Sequence, residues 1–149
     1  MFLVLASTMC AGLFCGAALY VNLVEHPARM SCGQELAVRE FAPSYRRATI
    51  MQVPLALVGL VLGLVAAWQL RDAWIATGAA LLGASIPFTL AFILPANKQL
   101  LDPTLDLRSV GVAELLARWN RLHAVRTALS ALAFALLLWS LAGFHGRTW

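Results

Sequence analysis

Arg118-Trp119-Asn120-Arg121-Leu122-His123-Ala124-Val125-Arg126-Thr127 runs directly into eighteen residues without a charge, Thr127 to Phe144. A basic, aromatic, histidine-bearing segment is fused to an apolar one of nearly membrane-crossing length. A helix rises about 1.5 Å per residue, so roughly 20 residues cross a 30 Å hydrocarbon layer. Extending the helix back through His123 supplies the missing turn.

The same reading applies three more times. Met1–Val24, Ala48–Leu70 and Ala73–Asn97 also carry no charge. Across the 149 residues, 61% are hydrophobic and only 12% charged, about half the charge of a soluble domain. Backbone polar groups in lipid must be satisfied within the segment, so each run is expected to be helical. The expected fold is all-α: one integral membrane domain over residues 1–149, a four-helix up-down-up-down bundle with an amphipathic lead into the last helix. The expected spans are about 2–26, 48–70, 73–95 and 120–144. The first run has no basic leader and too long an apolar stretch for a cleaved signal, so it is read as a retained span. The Gly59, Gly63, Gly78 and Gly83 series offers surfaces for close helix contact or for a homo-oligomer.

The net charge of +4 excludes little. The basic residues sit between the runs, as orientation charges do, and give no nucleic-acid signature. Arg29, Arg39, Arg46 and Arg47 lie in the first connection. Lys98, Arg108, Arg118, Arg121 and Arg126 lie in the third. Arg71 stands alone in the second, and Arg147 near the end. This asymmetry places connections one and three in the cytoplasm, with a bacterial inner membrane as the expected location. Cys10, Cys15 and Cys32 show neither metal spacing nor a disulfide pattern.

Prolines set the expected boundaries. Pro27 ends the first helix near Glu25 or His26, because a proline restricts the residue before it. Ala42-Pro43-Ser44 breaks the short amphipathic segment Gly33–Phe41 from the second span. Pro87 kinks the third helix, which ends at Pro95-Ala96-Asn97-Lys98. Arg71-Asp72 is too short to be anything but a tight turn between antiparallel neighbours.

Alternating directions bring one end of every helix to the same side. That side gathers Asn22, Glu25, His26, Arg29, Tyr45, Arg46, Arg47, Gln52, Asn97, Lys98, Trp119, Asn120, His123 and Arg126. Polar groups inside a membrane bundle are costly and turn inward or pair, so this accumulation is the candidate site. Trp119, His123 and Arg126 share one helix face. For each residue alone an interfacial anchor is the simpler reading. Two histidines arriving on different helices weigh against that for the group. Histidine serves as a base near neutral pH or as a metal or haem ligand. Both roles stay open: His123 and His26 with Arg126 and Asn97 as catalytic groups, or His26, His123 and Glu25 as ligands of a metal or haem. A non-enzymatic membrane module, binding a small molecule or a partner protein, is the remaining alternative.

Several patches carry a further signal. Gly12 and Gly16-Ala17-Ala18-Leu19-Tyr20-Val21-Asn22 lead into His26-Pro27-Ala28-Arg29. Tyr45-Arg46-Arg47-Ala48-Thr49-Ile50-Met51-Gln52 opens the second span. Ile86-Pro87-Phe88-Thr89 and Pro95-Ala96-Asn97-Lys98 follow, then Leu116-Ala117-Arg118-Trp119 and Leu122-His123-Ala124-Val125-Arg126. In this order they resemble the anthrone oxygenase family of small four-helix membrane proteins. The resemblance implies oxidation of a flat, hydrophobic polycyclic phenol by dioxygen. On that reading Trp119, Asn22, Arg29, Tyr45, Arg47, Gln52 and Lys98 of the gathered side surround the substrate, and the chemistry need not require a metal.

Overall fold

A computed structural model describes residues 1–145, with side chains through Gly143; Arg147, one of the orientation charges, lies outside them. Every regular element of the described chain is a helix. Four helices are long and apolar enough to cross a membrane, which makes this an integral membrane protein: α1 (Phe2–Ser31), α2 (Gln34–Leu70), α3 (Ala73–Leu100) and α4 (Val110–His145). Each packs along its sequence neighbours, α4 closes back on α1, and the diagonal pairs barely touch. This is the expected up-down-up-down bundle.

The connections are tight for identifiable reasons. Gly33 adopts φ +97°, a region closed to most side chains, and lets α1 hand over to α2 within two residues. Arg71 ends α2 in the left-handed conformation, and the Asp72 side chain caps α3 by accepting from the backbone N–H of Trp74 at 2.8 Å and of Ile75 at 3.3 Å. Trp68 and Trp74 flank this turn with their rings exposed, as interfacial tryptophans do. The longer link before α4 is held by Gln34, whose Nε2 donates to the carbonyls of Leu107 and Ser109.

Lipid gives two apolar helices no hydrophobic reason to associate, so contact depends on close packing and polar pairing. Around the α2–α3 turn that packing is tight. A Cβ at Gly63 would stand 2.5 Å from Ala79 Cβ, and one at Gly59 would stand 2.5 Å from Leu82 Cδ2. Ser7 adds a hydrogen bond across helices, its hydroxyl donating to the Gly59 carbonyl at 2.8 Å. The core here joins Val4, Ala11, Phe14, Ala66, Ile75, Leu82 and Leu137. A second apolar cluster closes the opposite end: Ala37, Val38 and Phe41 of α2 with Leu100, Val112, Leu116 and Trp119.

Three prolines fail to stop their helices. Pro27 and Pro95 each follow a wide π-helical turn, Val21–Glu25 in α1 and Thr89–Ile93 in α3, and each sits at the start of the α-helical segment that resumes. Proline lacks an N–H and crowds the carbonyl one turn back; a π turn moves that carbonyl away. α1 therefore runs to Ser31 and α3 to Leu100. Pro43 lies within α2, which is continuous from Gln34 to Leu70. The buried face Ala37, Val38, Phe41, continued by Tyr45 and Gln52, spans the proline, and its packing outweighs a cost of about 3 kcal/mol. The amphipathic segment expected to stand apart is thus the first turns of α2, and α2 and α4 both reach past the apolar runs that define their spans.

Candidate functional site

The buried histidine, arginine and amide side chains of the bundle collect between the two apolar clusters. His123, on α4, is buried, and both of its ring nitrogens are engaged. Nδ1 lies 2.8 Å from Asn22 Oδ1 of α1. The same Asn22 oxygen accepts from the Thr127 hydroxyl at 2.6 Å, while Asn22 Nδ2 donates to Asn120 Oδ1 at 2.8 Å and to the Asn120 carbonyl at 3.3 Å. An amide oxygen facing Nδ1 requires Nδ1 to carry the proton. Nε2 then presents its lone pair, and Arg126 Nη2 donates to it at 3.0 Å. Arg126 also donates to Gln52 Oε1 of α2, and its guanidinium lies over the Phe14 ring at 5.3 Å. The resulting chain, Asn120–Asn22–His123–Arg126–Gln52, links α4, α1 and α2 and fixes a neutral imidazole beside a cation. Arg126 Nε is buried without a hydrogen-bond partner.

Trp119 stands between the two histidines, with ring centroids 4.9 Å from His123 and 5.7 Å from His26. Its indole N–H donates to Asn97 Oδ1 at 2.7 Å, which leaves the Asn97 NH₂ as that side chain's donor. Phe41 meets Trp119 edge-on at 5.3 Å and stacks on Tyr45 at 5.9 Å. His26 is buried, with Nδ1 unpartnered. Arg29 turns the other way, toward α2. It pairs with Glu25, its Nε lies 2.9 Å from Glu40 Oε2 without in-line hydrogen-bond geometry, and Ser44 joins by donating to Glu25. A regular helix would place Asn22, His26 and Arg29 on one face. The π turn separates them, so Asn22 and His26 address α4 while Arg29 addresses α2.

Part of this set borders a cavity of about 170 Å³ whose wall is mostly apolar, whereas His26, expected as a catalytic group, lies behind Trp119 and off that wall. Arg29, Tyr45, Gln52, Asn97, Trp119, His123 and Arg126, all marked in the sequence, line it. Asn22 stands behind His123 and orients it. Lys98 is exposed and contributes nothing to the wall, and Arg47 lies on a separate groove between α1 and α2. Phe14, Phe41, Ser44, Ser85 and Thr89 add to the lining, and Thr127 and Asn120 complete the network; of these only Asn120 stands among the polar residues that the sequence gathers on this side. Thr127 had a signal, since it follows His123 by one helical turn.

The residues do not fit a metal on His26, His123 and Glu25. Trp119 separates the imidazoles, Glu25 is committed to Arg29, and among the described residues no three His, Cys, Asp or Glu side chains converge. A haem iron would meet His123 only at Nε2, and only with Arg126 swung off it, because Nδ1 is committed to Asn22.

The anthrone oxygenase family model matches residues 41–136, close to two thirds of the chain. The chain belongs to the anthrone oxygenase family. The match takes in Gln52, Asn97, Trp119, His123 and Arg126, the α2, α3 and α4 walls of the cavity; the α1 residues Asn22, His26 and Arg29 precede it. Comparison with curated proteins and with solved structures gives no match. Family membership and fold together make this anthrone oxygenase relative an oxygenase-like membrane protein.

Proposed function

We propose that the protein oxidises the CH₂ carbon of an anthrone-type, lipid-soluble phenol to a carbonyl with dioxygen. The observation that supports this most is His123. Its Nε2 carries a lone pair, is buried beside a guanidinium, and lies on the wall of an apolar cavity. The CH₂ of an anthrone is acidic because the electron pair left behind delocalises into the aromatic ketone.

His123 Nε2 takes the first proton as Arg126 swings its donor to the ketone oxygen. Arg126, and Asn97 through its NH₂, then hold the enolate oxygen by charge and hydrogen bonds. The electron-rich carbon reduces dioxygen and forms a C–O bond, and His123 returns its proton to the peroxide. Loss of the second C–H proton drives cleavage of O–O and release of water. The balance is R₂CH₂ + O₂ → R₂C=O + H₂O, with no outside reductant. Trp119 and Tyr45 offer aromatic faces to the flat substrate.

The test is oxygen uptake by the purified protein in lipid nanodiscs with a dihydroxyanthrone. One O₂ consumed per quinone formed, above the uncatalysed rate, is expected, and His123→Ala is expected to abolish it while elution and helicity stay normal. Full activity in that variant would remove His123 from the mechanism. A Soret band in the purified protein would move the chemistry to a haem.

A further inference from the structure

We propose that the substrate reaches this cavity sideways out of the bilayer, through a gap between α2 and α3 framed by Thr49, Val53, Ile86 and Leu90. The inference rests on the reading that the cavity takes a lipid-soluble ring system.

The gap follows from how the two helices pack. Near their connecting turn α2 and α3 are locked by Gly59, Gly63 and Gly83; a Cβ at Gly83 would stand 2.7 Å from Leu60 Cδ2. Toward the site they part. Pro54 lies in α2 and Pro87 in α3 at the level where the glycine contacts end, and the π turn Thr89–Ile93 packs on α4 instead of α2. The cavity, walled by all four helices, extends into the space left between them. Its wall includes side chains that also face outward: Thr49 is exposed, Val53 is 43% exposed and Leu90 60%. A lining residue that reaches the outer surface marks an opening. Around it stand exposed Ile50, Leu57 and Phe92, all within the uncharged runs Ala48–Leu70 and Ala73–Asn97. The opening therefore meets acyl chains, just inside the level of exposed Arg46 and Arg47. A phenol with an apolar body and a polar edge partitions to that depth.

The other side of α2 offers a contrasting route. The groove between α1 and α2 shares Val21, Ser44, Ala48 and Gln52 with the cavity, but Glu25, Glu40 and Arg47 border it. An apolar ring system passing there would have to strip water from charged groups, at a cost the lipid-facing gap avoids.

The experiment measures binding, so that it stands apart from turnover. A dihydroxyanthraquinone is mixed with nanodisc-embedded protein in a stopped-flow instrument, and its fluorescence change is followed. Val53→Trp and Leu90→Trp are expected to slow both association and dissociation by about tenfold, as a narrowed passage does. Leu90→Ala is expected to speed both. Val61→Trp, on the lipid face of α2 away from the gap, and Met51→Trp, in the α1–α2 groove, are expected to bind at wild-type rates. Wild-type kinetics in Val53→Trp, Leu90→Trp and Leu90→Ala would overturn the proposal, as would slowing by Met51→Trp alone or equal slowing by Val61→Trp. Gap-dependent binding without anthrone oxidation would leave the portal standing and defeat the oxygenase reading instead.

Discussion

Replacing Asn22 by leucine removes the acceptor that fixes the His123 ring. Leucine fills a similar volume, so the perturbation is mainly one of hydrogen bonding. Thr127 still has the His123 carbonyl at 3.0 Å. The Nδ1 hydrogen has only the Thr127 oxygen, 3.5 Å away and already a donor. One buried donor is thus left unpaired in the tautomer that presents a basic Nε2, a cost of about 1–3 kcal/mol. The other tautomer turns an N–H against the N–H of Arg126 and has no lone pair for the substrate. At about 1.4 kcal/mol per factor of ten, the loss corresponds to a fall of about 5- to 140-fold in kcat/KM. Asn22→Asp keeps an acceptor at Nδ1, and half-buried Asn120 can turn its amide over to donate to the carboxylate. That variant is expected to recover most of the lost rate. Anthrone-dependent oxygen uptake supplies the kinetics, and ¹⁵N chemical shifts of the His123 ring report the tautomer directly. Wild-type kcat/KM with unchanged ring shifts in Asn22→Leu would refute the reasoning. So would Asn22→Asp being as slow as Asn22→Leu with the Nδ1-protonated ring intact in both.

Gly63→Val forces two methyl groups into space where even a Cβ meets Ala79 at 2.5 Å; a loss of at least about 1–3 kcal/mol is expected in thermal unfolding, whereas Gly16→Ala, with nothing within 4 Å of the added atom, is expected to be neutral. Arg29→Leu leaves Glu25 and Glu40 facing each other without a cation. Both are partly exposed, so the expected loss of about 2–3 kcal/mol lies at or below the lower end of the range for breaking a buried pair, and adding Glu25→Gln and Glu40→Gln is expected to restore much of it in the same measurement. Trp119→Phe keeps an aromatic wall but strands the buried Asn97 oxygen; a lower melting temperature, equivalent to about 1–3 kcal/mol, is expected from circular dichroism.

The membrane fold was legible because uncharged length is a one-dimensional property. Ala48–Leu70 and Ala73–Asn97 needed no three-dimensional knowledge to be read as spans. The pairing of His123 with the far side of the bundle followed from alternating helix direction, which brings Asn22 and His26 to its level. What was hidden depends on rotation about each helix axis. Nothing in Val21-Asn22-Leu23-Val24-Glu25 announces a π turn, so Pro27 reads as a stop, and the pairing of Arg29 with Glu25 and Glu40 leaves no mark in the sequence. Lys98 carried the right charge at the right depth, yet its position after the α3 π turn leaves it exposed, while its neighbour Asn97 is buried. Ser44 reads with Pro43 as part of a break, and Phe41 as the end of a separate amphipathic segment, because proline in a sequence argues for an interruption that packing overrides here.

The two π turns also bear on how the chain tolerates change in length. Each is equivalent to one surplus residue spliced into an otherwise regular helix. Removing a single residue from Val21–Glu25 would restore ordinary winding and make a locally better helix. Because the wide turn already absorbs the surplus residue, the Phe14 wall before it and His26 after it would keep nearly their present setting. A deletion in the regular winding on either side would instead turn one half by about 100° against the other. The wide turn is thus slack in the first helix, and that slack lies beside the chemistry. The same one-codon loss is absorbed at this point and misaligns the two halves elsewhere.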